Sequence, residues 1–442
     1  MLLIYLPGIS PRASYVFDLI FNQELGIEYR VTTDINAFEL HSEEKINYSN
    51  SPKKESIFIK SSPLLFEDDI KKQEIKVAEK HQTKISFPND DDDLGFDIFS
   101  AVFYLASRYE EYLPFIPDQY GRFPASESVA FQNNFLHVPI INIWVDILKN
   151  ILRQKFPSLA TQSSSFSAII TYDIDVAYKY KGRNFGRIIG ASLKDLITFK
   201  IKNIINRKKT LLKIQKDPWD VYDDIKDTIL KNKINSVFFF LLADKTKYDR
   251  NLDYRNPLIK SLVAQIGDYS EIGIHPSFTT TDFPEKIATE KERLEDLSGK
   301  KIIKSRQHFL KLRLPDTYNS LLAAGIKEDF SMGYPEAPGF RAGTCKPFFF
   351  YDLKNEKVTD LKLFPVTCMD ATFIYYTKKS PEKSLMEILN LLKQIKKVEG
   401  LFIPIFHNEY LYKTKAGKKG TMATFRQVHD QTIMQVKAYL KK

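Results

Sequence analysis

The sequence predicts an α/β fold, in which a parallel sheet carries helices on its outside, and three observations carry that expectation. From about residue 165 onward, short apolar runs rich in β-branched and aromatic residues alternate with stretches of helical periodicity, the order that crossover connections require. Several of those runs end on aspartate or histidine, and in parallel α/β folds the chemistry gathers at the carboxyl ends of the strands. The chain has 442 residues, 43% hydrophobic and 27% charged, which suits two cores in a soluble globular protein.

Residues 1–155 are expected to form a smaller amino-terminal α/β domain of unknown role. Its acidic patch at 90–93 reads as a solvated loop or helix entry. Phe96, Phe99, Val102, Phe103 and Ala106 then recur at helical spacing and predict a buried helix that ends before Pro114. Trp144 sits in a second amphipathic helical pattern, NIWVDILKNILRQKF. The Pro/Ser-rich stretch PSLATQSSSFS marks the boundary, and the second domain is expected over 165–442. Its strands are expected at 166–176, 236–243, 271–278, 301–309, 361–370 and 401–407. One intervening helix is expected to open on Asp217 and Pro218, an N-cap followed by a first-turn proline. The alternation fits a parallel sheet that is either open or closed into a barrel.

Composition narrows the function. No segment supplies the roughly 20 apolar residues of a membrane span. The start, MLLIYLPGISPRASY, lacks the charged region and apolar length of a signal peptide, so a cytoplasmic location is expected. Cys345 and Cys368 cannot form a disulfide framework or a structural zinc knot and are read as reduced. The formal charge of +10 is concentrated: residues 179–216 hold twelve Lys or Arg, against Asp195 as their main acid. That segment, a helical insert at about 181–216, places Phe185, Ile188, Ile189, Leu193, Leu196 and Ile197 at helical spacing among the cations. Such a basic amphipathic helix suits peripheral contact with an anionic membrane surface, at the inner face for a cytoplasmic protein. The alternative is a helical insert packed on the sheet with a solvated basic face. No nucleic-acid module accompanies it, so no nucleic-acid partner is expected.

The candidate site begins at ITYDIDVAY, where an apolar run delivers Asp173 and Asp175 to a strand's carboxyl end. Residues two apart on a strand share a face, so these carboxylates repel unless a cation or a shared proton relieves them. Otherwise they cap the next helix or face solvent. His275 in EIGIHPSF, His308 in KSRQHFL and His407 in IPIFHNEY end other predicted strands, as does Asp370 in CMDAT. Three of the seven histidines thus fall on one rim of the sheet.

Taken in order, ITYDID, GIHPSF, GFRAGT, CMDAT and PIFHNEY resemble a divergent polysaccharide deacetylase of carbohydrate esterase family 4, over about residues 165–440. The whole chain also resembles bacterial proteins that place an uncharacterised region, with phrases such as SRYEEYLP and a D-x-x-GRF segment at 118–123, before such a domain. The resemblance implies a distorted, incomplete (β/α) barrel and a divalent metal, usually zinc. It implies Asp173 as general base, Asp175 and His275 as metal ligands, and His407 as general acid. It further implies that Arg341 orients the catalytic Asp, that Asp370 tethers this Arg, and that Asn408 helps to position His407. Arg306 is a second candidate for the task of Arg341. The sequence departs from the family where a second His is usual four residues after His275, because Thr279 stands there. His308 is the candidate third ligand, since catalytic zinc takes three protein ligands and one open position; otherwise it binds substrate or is structural. The expected function is metal-dependent removal of an acetyl or other N-acyl group from an amino sugar in a glycan or lipid-linked precursor. The alternatives are a catalytically inactive glycan-binding protein and a deformylase or amidohydrolase acting on a non-polymeric substrate.

Overall fold

The computed structural model describes residues 1–412 and 424–441, so 413–423 and 442 of the expected second domain lie outside the described residues. Near the amino terminus, β1 (Leu2–Tyr5), β2 (Tyr29–Thr32), β3 (Lys45–Ser49) and β4 (Ile57–Lys60) form a parallel sheet in the order β2-β1-β3-β4. β5 (Val77–Lys80) and β6 (Thr83–Ser86) make an antiparallel hairpin. Its turn residues His81 and Gln82 both have positive φ, the conformation that matches the right-handed twist of paired strands. The predicted aromatic helix spans Ile98–Ala106, is capped by Asp97, and has every residue buried. A helix apolar on all sides lies between layers. It ends earlier than Pro114 because Arg108 takes a left-handed conformation and a 3-10 turn, Tyr109–Tyr112, follows.

The large sheet comprises β7 (Ser167–Ile174), β8 (Asn235–Phe240), β9 (Glu271–Ile274), β10 (Lys304–Ser305), β11 (Glu328–Asp329), β12 (Phe348–Asp352), β13 (Lys357–Leu363), β14 (Cys368–Met369), β15 (Leu401–Phe402) and β16 (Pro404–His407). Its order is β12-β13-β11-β10-β9-β8-β7-β16-β14, with β15 also on β7. Every ladder is parallel except β12 against β13. The chain is therefore mixed α/β, as expected.

Two predicted strands are each broken in two, and proline is the physical reason. Pro365 separates β13 from β14, and Pro404 follows the break at Ile403 between β15 and β16; neither proline has an N–H to offer a ladder. The first break has a topological consequence. β13 and β14 lie seven strand spacings apart along the sheet, roughly 34 Å if it were flat. Leu363 and Cys368 are five residues apart, a reach of roughly 18 Å at most. The sheet must therefore curl until its two flanks approach. Residues 364–367 bridge the remaining gap: Val366 N–H bonds Met332 O at 2.9 Å, and Thr367 N–H bonds Ile403 O at 2.9 Å. Inside the curl, Val237, Phe239, Phe330, Val366 and Ile405 form a buried cluster of their own.

Between β7 and β8 the basic segment carries helices at Phe185–Ile197 and Ile201–Leu211. No residue of the first is buried, so it does not pack as a core helix.

Candidate metal centre and its cleft

At the carboxyl ends of the central strands, one ligand atom each from Asp175, His275 and His308 lies within 4.8 Å of the others. Asp175 follows β7, His275 directly follows β9, and His308 lies three residues beyond β10, at a 3-10 turn and not inside a strand. His275 Nε2 is 3.2 Å from Asp175 Oδ1, and His308 Nε2 is 3.5 Å from Asp175 Oδ2. The other nitrogen of each ring is occupied. His275 Nδ1 bonds the Arg306 carbonyl, which can only accept, so that nitrogen carries the proton. His308 Nδ1 bonds Asp249 Oδ1 at 2.9 Å. In the neutral rings, both Nε2 lone pairs consequently face the Asp175 carboxylate, whose Oδ1 is buried without a hydrogen bond among the described residues.

Electron-rich atoms converging this way need a cation or a proton between them. Nitrogen and carboxylate donors with backbone- and carboxylate-anchored imidazoles fit a divalent ion such as zinc. Without it, protons fill the role. Burial opposes a charge on His308, yet Asp175 and Asp249 outweigh it and raise the imidazole to about 9. Burial likewise opposes ionisation of Asp175, and the facing imidazoles of His308 and His275 hold it well below the usual carboxylate range.

Two further groups flank this point. Asp173, the Cα partner of His407 across β7 and β16, receives Arg306 Nη1 at 2.7 Å. Its other oxygen is 3.7 Å from His275 Nε2. Asp370 clamps His407 twice, through Nδ1 at 2.6 Å and through the backbone N–H at 2.7 Å. Burial would discourage a proton on His407, but Asp370, then Asp175 and Asp173, outweigh that and raise it to about 10. Asn408 holds the adjoining loop by donating to the carbonyls of Val176, Ala177 and Trp219.

The structure corrects two expectations. Arg341 does not reach Asp173: its guanidinium is buried against both oxygens of Glu111, at 2.9 and 2.6 Å, and the Gly333 carbonyl. Arg306 takes the place beside Asp173, because β10 neighbours β9 on the rim whereas GFRAGT lies under the amino-terminal region. Asp370 accordingly tethers an imidazole and not an arginine. Sequence reasoning also missed Asp249, which orients His308. It lies in the loop TKYDRN, where no local pattern distinguishes it from other surface acids. The cleft of about 450 Å³ over the site is lined by Asp173, Asp175, His275, His308 and His407 together with Tyr120, Tyr375, Tyr376 and Tyr410. Tyr120 arrives from the D-x-x-GRF segment, fixed by Arg122, which pairs with Asp118 at 2.6 Å and donates to the Phe309 carbonyl at 2.7 Å.

Residues 2–157 match a family of unknown function (DUF7033), about a third of the chain. No curated protein matches. Among solved structures, the chain is similar to a Mycobacterium smegmatis protein assigned as a polysaccharide deacetylase, at 13% identity and a TM-score of 0.41, over 63% of this chain and 85% of that one. It is also similar to a CE4 family pseudoenzyme from Bacillus anthracis, at 9% identity and a TM-score of 0.31, over 62% of this chain and 61% of that one. A mutant of that pseudoenzyme with restored enzymatic activity aligns at 10% identity and a TM-score of 0.29, over 62% of this chain and 63% of that one. Likenesses this distant decide nothing about chemistry, which rests on the site itself.

Proposed function

We propose that this protein is a metal-dependent hydrolase that removes an acetyl or related N-acyl group from an amino sugar. The observation that carries the reading is the convergence of Asp175, His275 and His308 on one point, with Asp173 and His407 on its flanks. Asp175, His275 and His308 would hold the ion. A divalent ion there would supply an acidified water and polarise the acyl carbonyl.

The remaining work falls to the chain's own groups. Asp173, fixed by Arg306, is placed to accept the proton of an attacking water. His407 keeps its proton at neutral pH because Asp370 stabilises the imidazolium, so its Nε2 can donate to the departing amine, which leaves poorly unless protonated. The tyrosines of the cleft offer flat apolar faces and hydroxyls, a lining suited to a sugar ring. The curled, open sheet fits the distorted, incomplete barrel that the resemblance implies.

The test is metal content of the purified full chain, with acetate release from N-acetylated amino sugars as the second readout. Near-stoichiometric divalent metal is expected in the wild type, falling by about tenfold or more in His275→Ala and His308→Ala. A wild-type protein that takes up no metal even on reconstitution would sink the hydrolase and favour glycan binding without turnover.

A further inference from the structure

The helical insert carries two unlike faces. Phe185, Ile189, Leu193 and Leu196, spaced by four, four and three residues, form one stripe along its first helix, with exposures of 78, 44, 55 and 54%. Phe199 in the connecting turn is 89% exposed, and Ile201 and Ile205 extend the apolar surface along the second helix. Exposed apolar side chains this dense in one hairpin mark an interaction surface. On the other side of the first helix, Arg187 and Lys194 line a wide cleft, of about 980 Å³, that also includes Asp175 and His308. Of the twelve cations in 179–216, only Lys181, Arg207 and Lys216 reach a carboxylate within ion-pair distance among the described residues.

We propose that the hairpin 185–211 is a membrane-docking element that seats this protein on an anionic lipid bilayer. The apolar stripe enters the headgroup boundary, while unpaired lysines of the second helix such as Lys208 and Lys209 meet lipid phosphates. Charge selects this occupant over a second copy of the chain. A two-fold pairing of identical hairpins would bring like-charged surfaces together. No helix among the described residues is long and apolar enough to cross a membrane, so the contact is peripheral.

Flotation of the purified full chain with vesicles tests this independently of hydrolysis, which soluble amino sugars report separately. The wild type should float with phosphatidylcholine vesicles containing phosphatidylglycerol, much less with phosphatidylcholine alone, and less in high salt. The exposed-residue variant Phe185→Ser/Leu193→Ser/Phe199→Ser should bind about tenfold more weakly or worse, with unchanged melting temperature and metal content. Lys208→Glu/Lys209→Glu should remove the preference for phosphatidylglycerol. Absence of flotation with either vesicle, or flotation unaltered in the triple variant, overturns the proposal. So does a dimer in sedimentation that the triple variant dissolves.

Discussion

The Asp370 carboxylate is the group on which the behaviour of His407 turns, since it holds both the ring and the backbone of that residue. Asp370→Asn removes the charge that keeps the imidazolium protonated, so the proton is lost at a lower pH. In the proposed reaction kcat should fall by about 100-fold, with KM little changed, and the alkaline limb of the pH–rate profile should move to lower pH. A uniform loss of activity with an unmoved limb would mean that Asp370 is merely structural. Glu290 offers a test free of activity. It is buried beneath the His275 loop, and desolvation raises it from its ordinary 4.5 to about 7, although it accepts the Ser277 N–H at 2.8 Å. A carboxyl raised on folding binds its proton more tightly in the native state, so its contribution is full below pH 4.5 and is lost as pH rises through about 7. Glu290→Gln should therefore flatten the decline in stability over that window, by about 3 kcal/mol at most, read by denaturant melts at several pH values. Parallel curves for the two proteins would contradict the sign. At this scale the site was legible where a residue ends a recognisable strand, as with Asp173, Asp175, His275 and His407. Asp249 was not legible, because its role is set by the imidazole that tertiary packing brings to it.

Strands were legible in proportion to their length and burial. β7 and β8 are largely apolar runs and fall close to their expected limits, whereas β10 keeps only Lys304–Ser305 of the strand expected at 301–309, and β11, two residues long, carries no periodicity to detect. The antiparallel β12 was missed outright, since its position depends on pairing with β13. The motif GFRAGT pointed to the wrong partner for a related reason: a short motif fixes a residue type, not the element opposite it. Glu111 and Arg108 come from the turn after the Ile98–Ala106 helix, so SRYEEYLP and GFRAGT are two halves of one buried charge network. Removing one member leaves another charge uncompensated. Arg341→Met should cost about 3–5 kcal/mol of stability while the purified folded fraction retains its metal. Metal loss at unchanged stability would return Arg341 to the catalytic centre.

At the scale of the molecule, the region matched by the family of unknown function and the large sheet share one hydrophobic cluster and reach into one cleft. Tyr15 and Phe103 pack on Tyr351, at ring separations of 4.9 and 5.3 Å, and Arg12 pairs with Glu356 at 2.6 Å. Nearer the cleft, the Tyr120 ring packs on Phe309, next to the candidate ligand His308, at 5.1 Å. Tyr120 makes no hydrogen bond to Asp175, His275 or His308 among the described residues and lies on the cleft wall with Tyr376, a position suited to contact with a bound sugar. Tyr120→Ala removes that surface together with the ring on which the Arg122 guanidinium stacks at 4.8 Å, while Asp118, the Phe309 carbonyl and the Tyr376 hydroxyl still hold Arg122. The expected result is a rise in KM of about tenfold, worth about 1.4 kcal/mol, with kcat and metal content near wild type, measured by steady-state acetate release. Tyr120→Phe should restore most of the loss if stacking is the contribution and little if the hydroxyl is. An equal fall in kcat with KM unchanged would show that the amino-terminal region acts on the chemistry itself and not on substrate binding.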